Sequence, residues 1–233
     1  MDKHFLTPLF SPSSIAVFAG KLDEPDSQTP QARALHNALR AQRYTGTLVF
    51  LDTHFSGTLA DLAHTQADLA IIALPADEVA AALEIAGRIK CRAALLISSG
   101  IAVTQAAELH KIARRHGIHL LGPNCLGFQR PQLQLNASVA GPLAAPGPLA
   151  LVSQSGALTS SILDWAQKNG VGFSTVVSLG PNTAVDMAQV LDFLAADAQT
   201  HSIVVYLEGI SNARRFMSAL RAEELIEALE VRF

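Results

Sequence analysis

The fold class is decided by Leu69 to Ile97, which reads LAIIALPADEVAAALEIAGRIKCRAALLI. The first six and the last five of these residues are apolar runs without alternation, which is typical of strands buried on both faces of a sheet. Ala76 to Arg88, which lies between them, has the spacing of an amphipathic helix. A strand, a helix and a strand in this order predict a right-handed crossover between two parallel strands.

The same alternation continues on both sides of this stretch. Apolar runs at Ser14–Ala19, Thr47–Leu51 and Ile118–Leu121 predict three more strands, and the stretches Gln31–Gln42 and Gln105–His116 predict helices. We therefore expect an α/β unit with a five-stranded parallel sheet covered by helices on both faces. Sheets of this kind bind ligands at the carboxyl ends of their strands.

A second α/β unit follows a region that is rich in proline, glycine and alanine. Residues 131–148 contain four prolines and little periodicity, so we interpret them as a linker between a first domain at 1–130 and a second at 149–233. In the second domain, strands are predicted at Leu149–Val152, Phe173–Ser178 and Ser202–Leu207, and helices at Ala157–Asn169, Asp186–Ala196 and Asn212–Leu229. Three strands are few for a doubly wound domain.

The composition argues against several classes of protein. The chain has 233 residues, 49% of them hydrophobic, and a net charge of −3 without a basic block, so nucleic acid is not an expected partner. No apolar run reaches the roughly 18 residues of a membrane-spanning helix, and Met1–Phe10 does not resemble a signal peptide. Cys91 and Cys125 match neither a disulfide framework nor a metal site, which favours a reducing, cytoplasmic location.

The turn GPNCLG, Gly122 to Gly127, follows the fifth predicted strand. Two glycines and a proline at a strand end hold backbone amides close to a ligand, and Asn124 adds a donor and an acceptor. A plain turn, with Cys125 as a small buried hydrophobe, is an equally favoured interpretation.

Other strand ends carry weaker signals of a ligand crevice. Pro75 follows the third predicted strand, and the small residues Ser98, Ser99 and Gly100 follow the fourth. Gly20 follows the first strand, but the G-x-G-x-x-G fingerprint of dinucleotide-binding proteins is not present there. Lys21 could offset the neighbouring acidic residues, although a solvated loop is the plainer interpretation.

Two motifs of the second unit invite a functional interpretation. Ser153, Ser155 and Gly156 lie in SQSG between a strand and a helix, where they form an anion site, a plain N-cap, or both. We expect them to present free amides and hydroxyls to solvent at the start of the helix. The sequence around Ser155 lacks the glycines of a nucleophile elbow. Glu208 ends an apolar strand, either as a solvated acid or as a carboxylate that orients a catalytic imidazole.

Five motifs together carry a family resemblance. They are GPNCLG at 122–127, VSQSGAL at 152–158, ILDWAQKNGVGFSTVVSLG at 162–180, VVYLEGI at 204–210 and ARRFMSALR at 213–221. With the opening FSPSSIAV at 10–17, this order resembles the NDP-forming acyl-CoA synthetase superfamily, which includes succinyl-CoA synthetase α subunits and ADP-forming acetyl-CoA synthetases. The chain looks closest to members that are fused to a GNAT-type protein lysine acetyltransferase.

The resemblance implies a Rossmann-like CoA-binding domain followed by a truncated flavodoxin-like α/β domain of the succinyl-CoA synthetase type. It implies that Ser153, Ser155 and Gly156 face a phosphate, and that Glu208 is the carboxylate that holds a phosphorylatable histidine. Coenzyme A or acyl-CoA would contact the strand-end loops at Gly20, Lys21, Pro75, Ser98, Ser99, Gly100, Asn124 and Cys125.

The resemblance also bears on partners and activity. The loop with the family's catalytic histidine, the ATP-grasp domain and the acetyltransferase domain have no counterpart in these 233 residues. We therefore expect an ATP-grasp or acetyltransferase domain as partner, on another chain or in a further C-terminal region, with a homodimer as another option. A CoA-binding or acyl-CoA-binding module, inactive alone, is the first hypothesis. An α-subunit-like part of a split acyl-CoA ligase and a non-binding remnant are the alternatives.

Overall fold

The computed structural model describes residues 4–20, 28–51, 66–181, 183–210 and 212–221. The first unit contains a parallel sheet in the order β2-β1-β3-β4-β5, which confirms the predicted α/β fold and its five parallel strands. The strands are β1 Ser14–Phe18, β2 Thr47–Phe50, β3 Leu69–Ile72, β4 Ala93–Leu96 and β5 His119–Leu121. The helices are α1 Thr7–Phe10, α2 Pro30–Arg40, α3 Val79–Arg88 and α4 Val103–His116.

Alternate residues of β1 show how the helices cover both faces of this sheet. Ile15 and Val17 belong to the apolar cluster that contains Leu35 of α2. Ala16 and Phe18 belong to the opposite cluster, which contains the buried side chains of α3 and α4. The strands are therefore apolar on both faces, which explains why their sequences do not alternate.

The second unit contains a mixed five-stranded sheet in the order β10-β8-β9-β6-β7. Strands β10, β8 and β9 are parallel, and β6 and β7 form an antiparallel hairpin that pairs with β9. The strands are β6 Gly127–Arg130, β7 Leu135–Ser138, β8 Pro146–Ser153, β9 Phe173–Ser178 and β10 Ser202–Tyr206. The helices are α5 Gly156–Asn169, α6 Met187–Ala195 and α7 Ala213–Arg221.

The hairpin differs from the linker that the sequence predicts at residues 131–148. These residues contain a 3₁₀ turn, β7 and the start of β8, and β6 precedes them within the predicted first domain. Buried Gln129 donates to Pro142 O and accepts from Ala144 N, and buried Asn136 donates to Gly141 O. These amide side chains bind the proline-rich loop to the hairpin. Residues 131–148 therefore belong to the second unit and contribute strands to its sheet.

The two units share one continuous apolar core. Phe10 of α1 is fully buried and contacts the rings of Phe128 and Phe193, with centroids 5.2 and 4.9 Å away. Helix α1 also lies against β4, and α2 lies against β7, so elements of the first unit contact both sheets. Within the described residues, we find no helix with the length and apolarity needed to cross a membrane.

Candidate functional site

The carboxyl edge of the first sheet forms the first part of the candidate site. The strand order reverses between β1 and β3, and ligands of doubly wound sheets bind in the crevice at such a point. Gly20 follows β1 with a φ of +75°, a conformation that favours glycine. Beside it α2 begins at its N-cap Thr29, whose hydroxyl accepts from Ala32 N and lies 3.4 Å from Ala73 O at the end of β3. Lys21 lies outside the described residues.

The loops after β3 and β4 face the same edge. Pro75, Ser99 and Gly100 are exposed, and Gln31 of α2 donates to Ser99 Oγ at 3.0 Å. Ser98 is instead buried and bridges the two strand ends, because its hydroxyl accepts from Leu74 N and donates to Leu74 O. Small neutral groups beside the amino end of a helix, with its partial positive charge, suit a phosphate-bearing ligand such as CoA.

The GPNCLG turn uses its side chains to hold its own loops together. Asn124, with a φ of +56°, accepts from Ile101 N and donates to Ile101 O, which locks the loop after β4. Cys125 is buried and its thiol donates to Leu96 O at 3.3 Å. Burial raises the pKa of the Cys125 thiol to about 12, so the group stays a neutral thiol. The plain-turn interpretation accounts for these contacts, and a role of either residue in CoA binding stays a prediction.

The loop that follows β9 joins the second unit to this turn. Gly122 N donates to Thr183 Oγ1 at 3.1 Å, and Val185 N donates to Leu120 O at 2.9 Å. A Cβ at Gly180 would collide with Pro123 O, so only glycine permits this approach. The carboxyl edges of the two sheets therefore meet at the GPNCLG turn. Sequence reasoning missed Thr183 and Gly180, although Gly180 falls within one of the family motifs.

The SQSG turn is more enclosed than the sequence predicts. Ser153 is fully buried, and its hydroxyl accepts from Ser155 N and donates to Ser155 O. The expectation that Ser153 presents its hydroxyl to solvent is therefore wrong. Ser155 is the N-cap of α5 and accepts from Leu158 N, which confirms the cap interpretation. Gly156 packs against Leu126, and the phosphate-binding role of the three residues stays a prediction.

A pocket of about 440 Å³ lies at the carboxyl ends of β9 and β10 and at the starts of α6 and α7. Leu179, Met187 and Phe216 form an apolar wall. Glu208 lines the pocket and is exposed, and among the described residues its carboxylate has no hydrogen-bond or ion-pair partner. The pocket also contains Gln154, so the SQSG turn contributes to it through its glutamine.

A second carboxylate lines the pocket, and each of its two oxygens has a partner within the protein. Asp186 accepts from Gln189 N as the N-cap of α6, and its other oxygen lies 3.1 Å from Arg215 Nη1. Arg215 N donates to Asn212 Oδ1 at the start of α7. Glu208 is therefore the carboxylate that is left to bind a ligand, and it can accept hydrogen bonds from a cation or from a neutral N–H donor.

Comparisons with known proteins agree with this architecture. Residues 42–131 match the family model of a CoA binding domain, and residues 146–225 match that of a succinyl-CoA ligase like flavodoxin domain. The chain is a relative of the ADP-forming acyl-CoA ligases. It is 40% identical over 161 residues to acetate–CoA ligase (ADP-forming) I of Archaeoglobus fulgidus, covering 66% of this chain and 24% of that protein.

Two further relatives include a separate subunit and a solved structure. The α subunit of acetate–CoA ligase (ADP-forming) I of Pyrococcus furiosus is 37% identical over 164 residues, covering 67% of this chain and 35% of the subunit. The dinucleotide forming acetyl-coenzyme A synthetase 1 of Ca. Korarchaeum cryptofilum, solved with phosphate and ADP, superimposes with a TM-score of 0.82. It is 27% identical, over 92% of this chain and 48% of that one.

The chain corresponds to only part of each of these relatives. It spans about a quarter to a third of the length of the two curated ligases that it matches. These relatives are ligases and synthetases, and the predicted likeness to acetyltransferase-fused members finds no support in them.

Proposed function

We propose that this chain is the CoA-binding, α-subunit-like part of an ADP-forming acyl-CoA ligase, which works with an ATP-binding domain on another chain or in a longer protein. The observation that carries the proposal is the junction at the GPNCLG turn. There the ligand-facing edge of the first sheet is bonded to the loop that lines the Glu208 pocket, through Thr183 Oγ1 and Gly122 N. CoA bound at the edge of the first sheet can thus reach a group that reacts in the Glu208 pocket.

In this proposal CoA lies across the first edge. Gly20, Pro75, Ser99 and Gly100 leave room for its diphosphate and pantetheine groups beside the amino end of α2. CoA supplies the thiol that accepts the acyl group. The chain's own residues bind and orient it, and the buried Cys125 thiol does not compete with it as acyl acceptor.

The Glu208 pocket would receive a histidine side chain from the ATP-binding partner or from a further part of the protein. A carboxylate without a partner, in a pocket with an apolar wall, favours an imidazole because the ring can donate from one nitrogen while it packs on Phe216 or Met187. Glu208 would fix the tautomer of that ring. The lone pair of the other ring nitrogen would then form a bond to the terminal phosphorus of the partner's nucleoside triphosphate, and the nucleoside diphosphate would leave.

Calorimetric titration tests the CoA part of the proposal. The chain is expected to bind CoA and acetyl-CoA in preference to NAD, because it has small strand-end loops and no dinucleotide fingerprint. Ser99→Trp places a large side chain in the crevice and is expected to weaken CoA binding by about tenfold or more. The matched control is Thr45→Trp, an exposed position just before β2 at the opposite edge of the sheet, which should bind CoA as the wild type does.

Two results would contradict this proposal. If no CoA species gives heat at millimolar concentration, the chain is a remnant without a CoA site. If Ser99→Trp and Thr45→Trp bind CoA equally well, CoA binds away from the carboxyl edge of the first sheet.

A further inference from the structure

The side chain of Gln154 makes three hydrogen bonds to the backbone that carries Glu208. We propose that Gln154 is a positioning residue, which holds the Glu208 carboxylate at the pocket so that it can bind an imidazole. The inference rests on the proposed function of that pocket. It adds a residue that the sequence does not single out, because Gln154 lies between the two serines that attract attention there.

The three bonds use every kind of hydrogen-bonding group that the amide offers. Gln154 Oε1 accepts from Glu208 N at 2.6 Å and from Gly209 N at 3.0 Å, and Nε2 donates to Gly209 O at 2.9 Å. The backbone N of Gln154 also donates to Tyr206 O at the end of β10. Two backbone N–H donors face Oε1 and a backbone carbonyl faces Nε2, so these partners determine the orientation of the amide.

The segment that Gln154 holds has little other support. Glu208, Gly209 and Ile210 are exposed, and they follow β10, which is an edge strand of the second sheet. Exposed loops without buried contacts sample many conformations, and fixing a residue in one conformation has an entropic cost. The three hydrogen bonds of Gln154, which follows the neighbouring strand β8, reduce this freedom before a ligand binds, and we call them the clamp. Preorganisation of this kind increases affinity.

The chemistry of the clamp favours glutamine over similar residues. Lysine and arginine have no acceptor for the two N–H groups, and methionine has the length of glutamine but no amide. A glutamate would accept from both N–H groups, but its charge would face Gly209 O and lie near Glu208. A protonated glutamate, however, offers one acceptor and one donor and can reproduce all three bonds.

Nuclear magnetic resonance on the whole chain tests the inference, with free imidazole as the probe. In Gln154→Met we expect imidazole to bind about tenfold more weakly, by analogy with the loss seen when the outer hydrogen-bond partner of a metal ligand is removed. The Glu208 and Gly209 amides should exchange with solvent faster. Gln167→Met is the matched control, because Gln167 is exposed on α5 away from the pocket; its imidazole affinity should equal that of the wild type.

Gln154→Glu tests the three hydrogen bonds themselves, apart from imidazole binding. As the pH falls through the titration of the new carboxyl, normally near about 4.3, the Glu208 and Gly209 amide shifts should return toward wild-type values. Gln154→Met should show no such return. An absent return in Gln154→Glu would contradict the three-bond clamp.

Glu208→Gln separates failure of this inference from failure of the proposed pocket function. If Glu208→Gln weakens imidazole binding and Gln154→Met does not, the pocket proposal stands and the positioning role of Gln154 is wrong. If Glu208→Gln binds imidazole as well as the wild type does, the proposed function of the pocket fails, and the positioning role fails with it.

Discussion

Arg130 and Asp197 form a buried ion pair that holds the hairpin strand β6 to the parallel part of the second sheet. Arg130 Nη1 donates to Asp197 Oδ2 at 2.7 Å and to Thr175 Oγ1 at 2.8 Å, and Asp197 also accepts from Thr200 Oγ1. The two side chains are 5% and 10% exposed. Removal of one partner from such a pair leaves the other charge buried without compensation, which costs more than the pair itself contributes.

Asp197→Ala is therefore expected to lower the free energy of unfolding by about 3–5 kcal/mol, because Arg130 would remain charged and buried. Urea denaturation at neutral pH measures this change. Asp164→Ala is the matched control, since Asp164 pairs with Lys168 one helical turn away and both side chains are more than half exposed; we expect a loss of at most about 0.5 kcal/mol. Equal losses in the two variants would mean that Arg130 finds water or another acceptor.

At the scale of elements, α5 shows how a short sequence motif determines where a helix begins. Ser155 has the extended backbone of an N-cap, and its hydroxyl accepts from Leu158 N at 3.4 Å. Ser155→Ala removes this acceptor and should cost about 1 kcal/mol of stability, whereas Ser155→Gly should cost a few tenths. Ser161→Ala, at an exposed position within α5, should cost less than Ser155→Ala, and thermal unfolding would reveal the difference. Similar costs at both positions would argue against the cap.

The parallel strands of the first unit could be predicted from the sequence because each contains a continuous apolar run, but the β6–β7 hairpin could not. Its strands read GFQR and LNAS, and the polar residues Gln129, Arg130 and Asn136 are buried in it. Their burial depends on partners in the 141–144 loop and on Asp197, which local patterns do not show. In the same way the SQSG motif indicated a helix start, but the contact of Gln154 with Glu208 joins residues 54 positions apart.

At the scale of the molecule, the two units are one folding unit by the criterion of a shared core. Helix α1, at the start of the chain, lies against β4 of the first sheet, and its Phe10 ring contacts Phe128 of β6 and Phe193 of α6. A backbone hydrogen bond from Val185 N to Leu120 O also joins the two units. The junction also carries the candidate site, so its stability and the proposed function are coupled.

We expect the chain to unfold in one cooperative transition, because neither unit can leave the junction without exposing the buried Phe10. Phe10→Ala should lower the free energy of unfolding by about 3–5 kcal/mol through lost apolar burial and a residual cavity. Phe10 belongs to α1, which packs on the first sheet, and its ring contacts Phe128 and Phe193 of the second unit, so its removal should destabilise both units to the same extent. Phe5→Ala is the control from the same segment, since Phe5 is 41% exposed and should cost about 1 kcal/mol or less. Hydrogen exchange measures the strands of both sheets separately, and a Phe10→Ala variant in which only one sheet loses protection would show that the units fold independently.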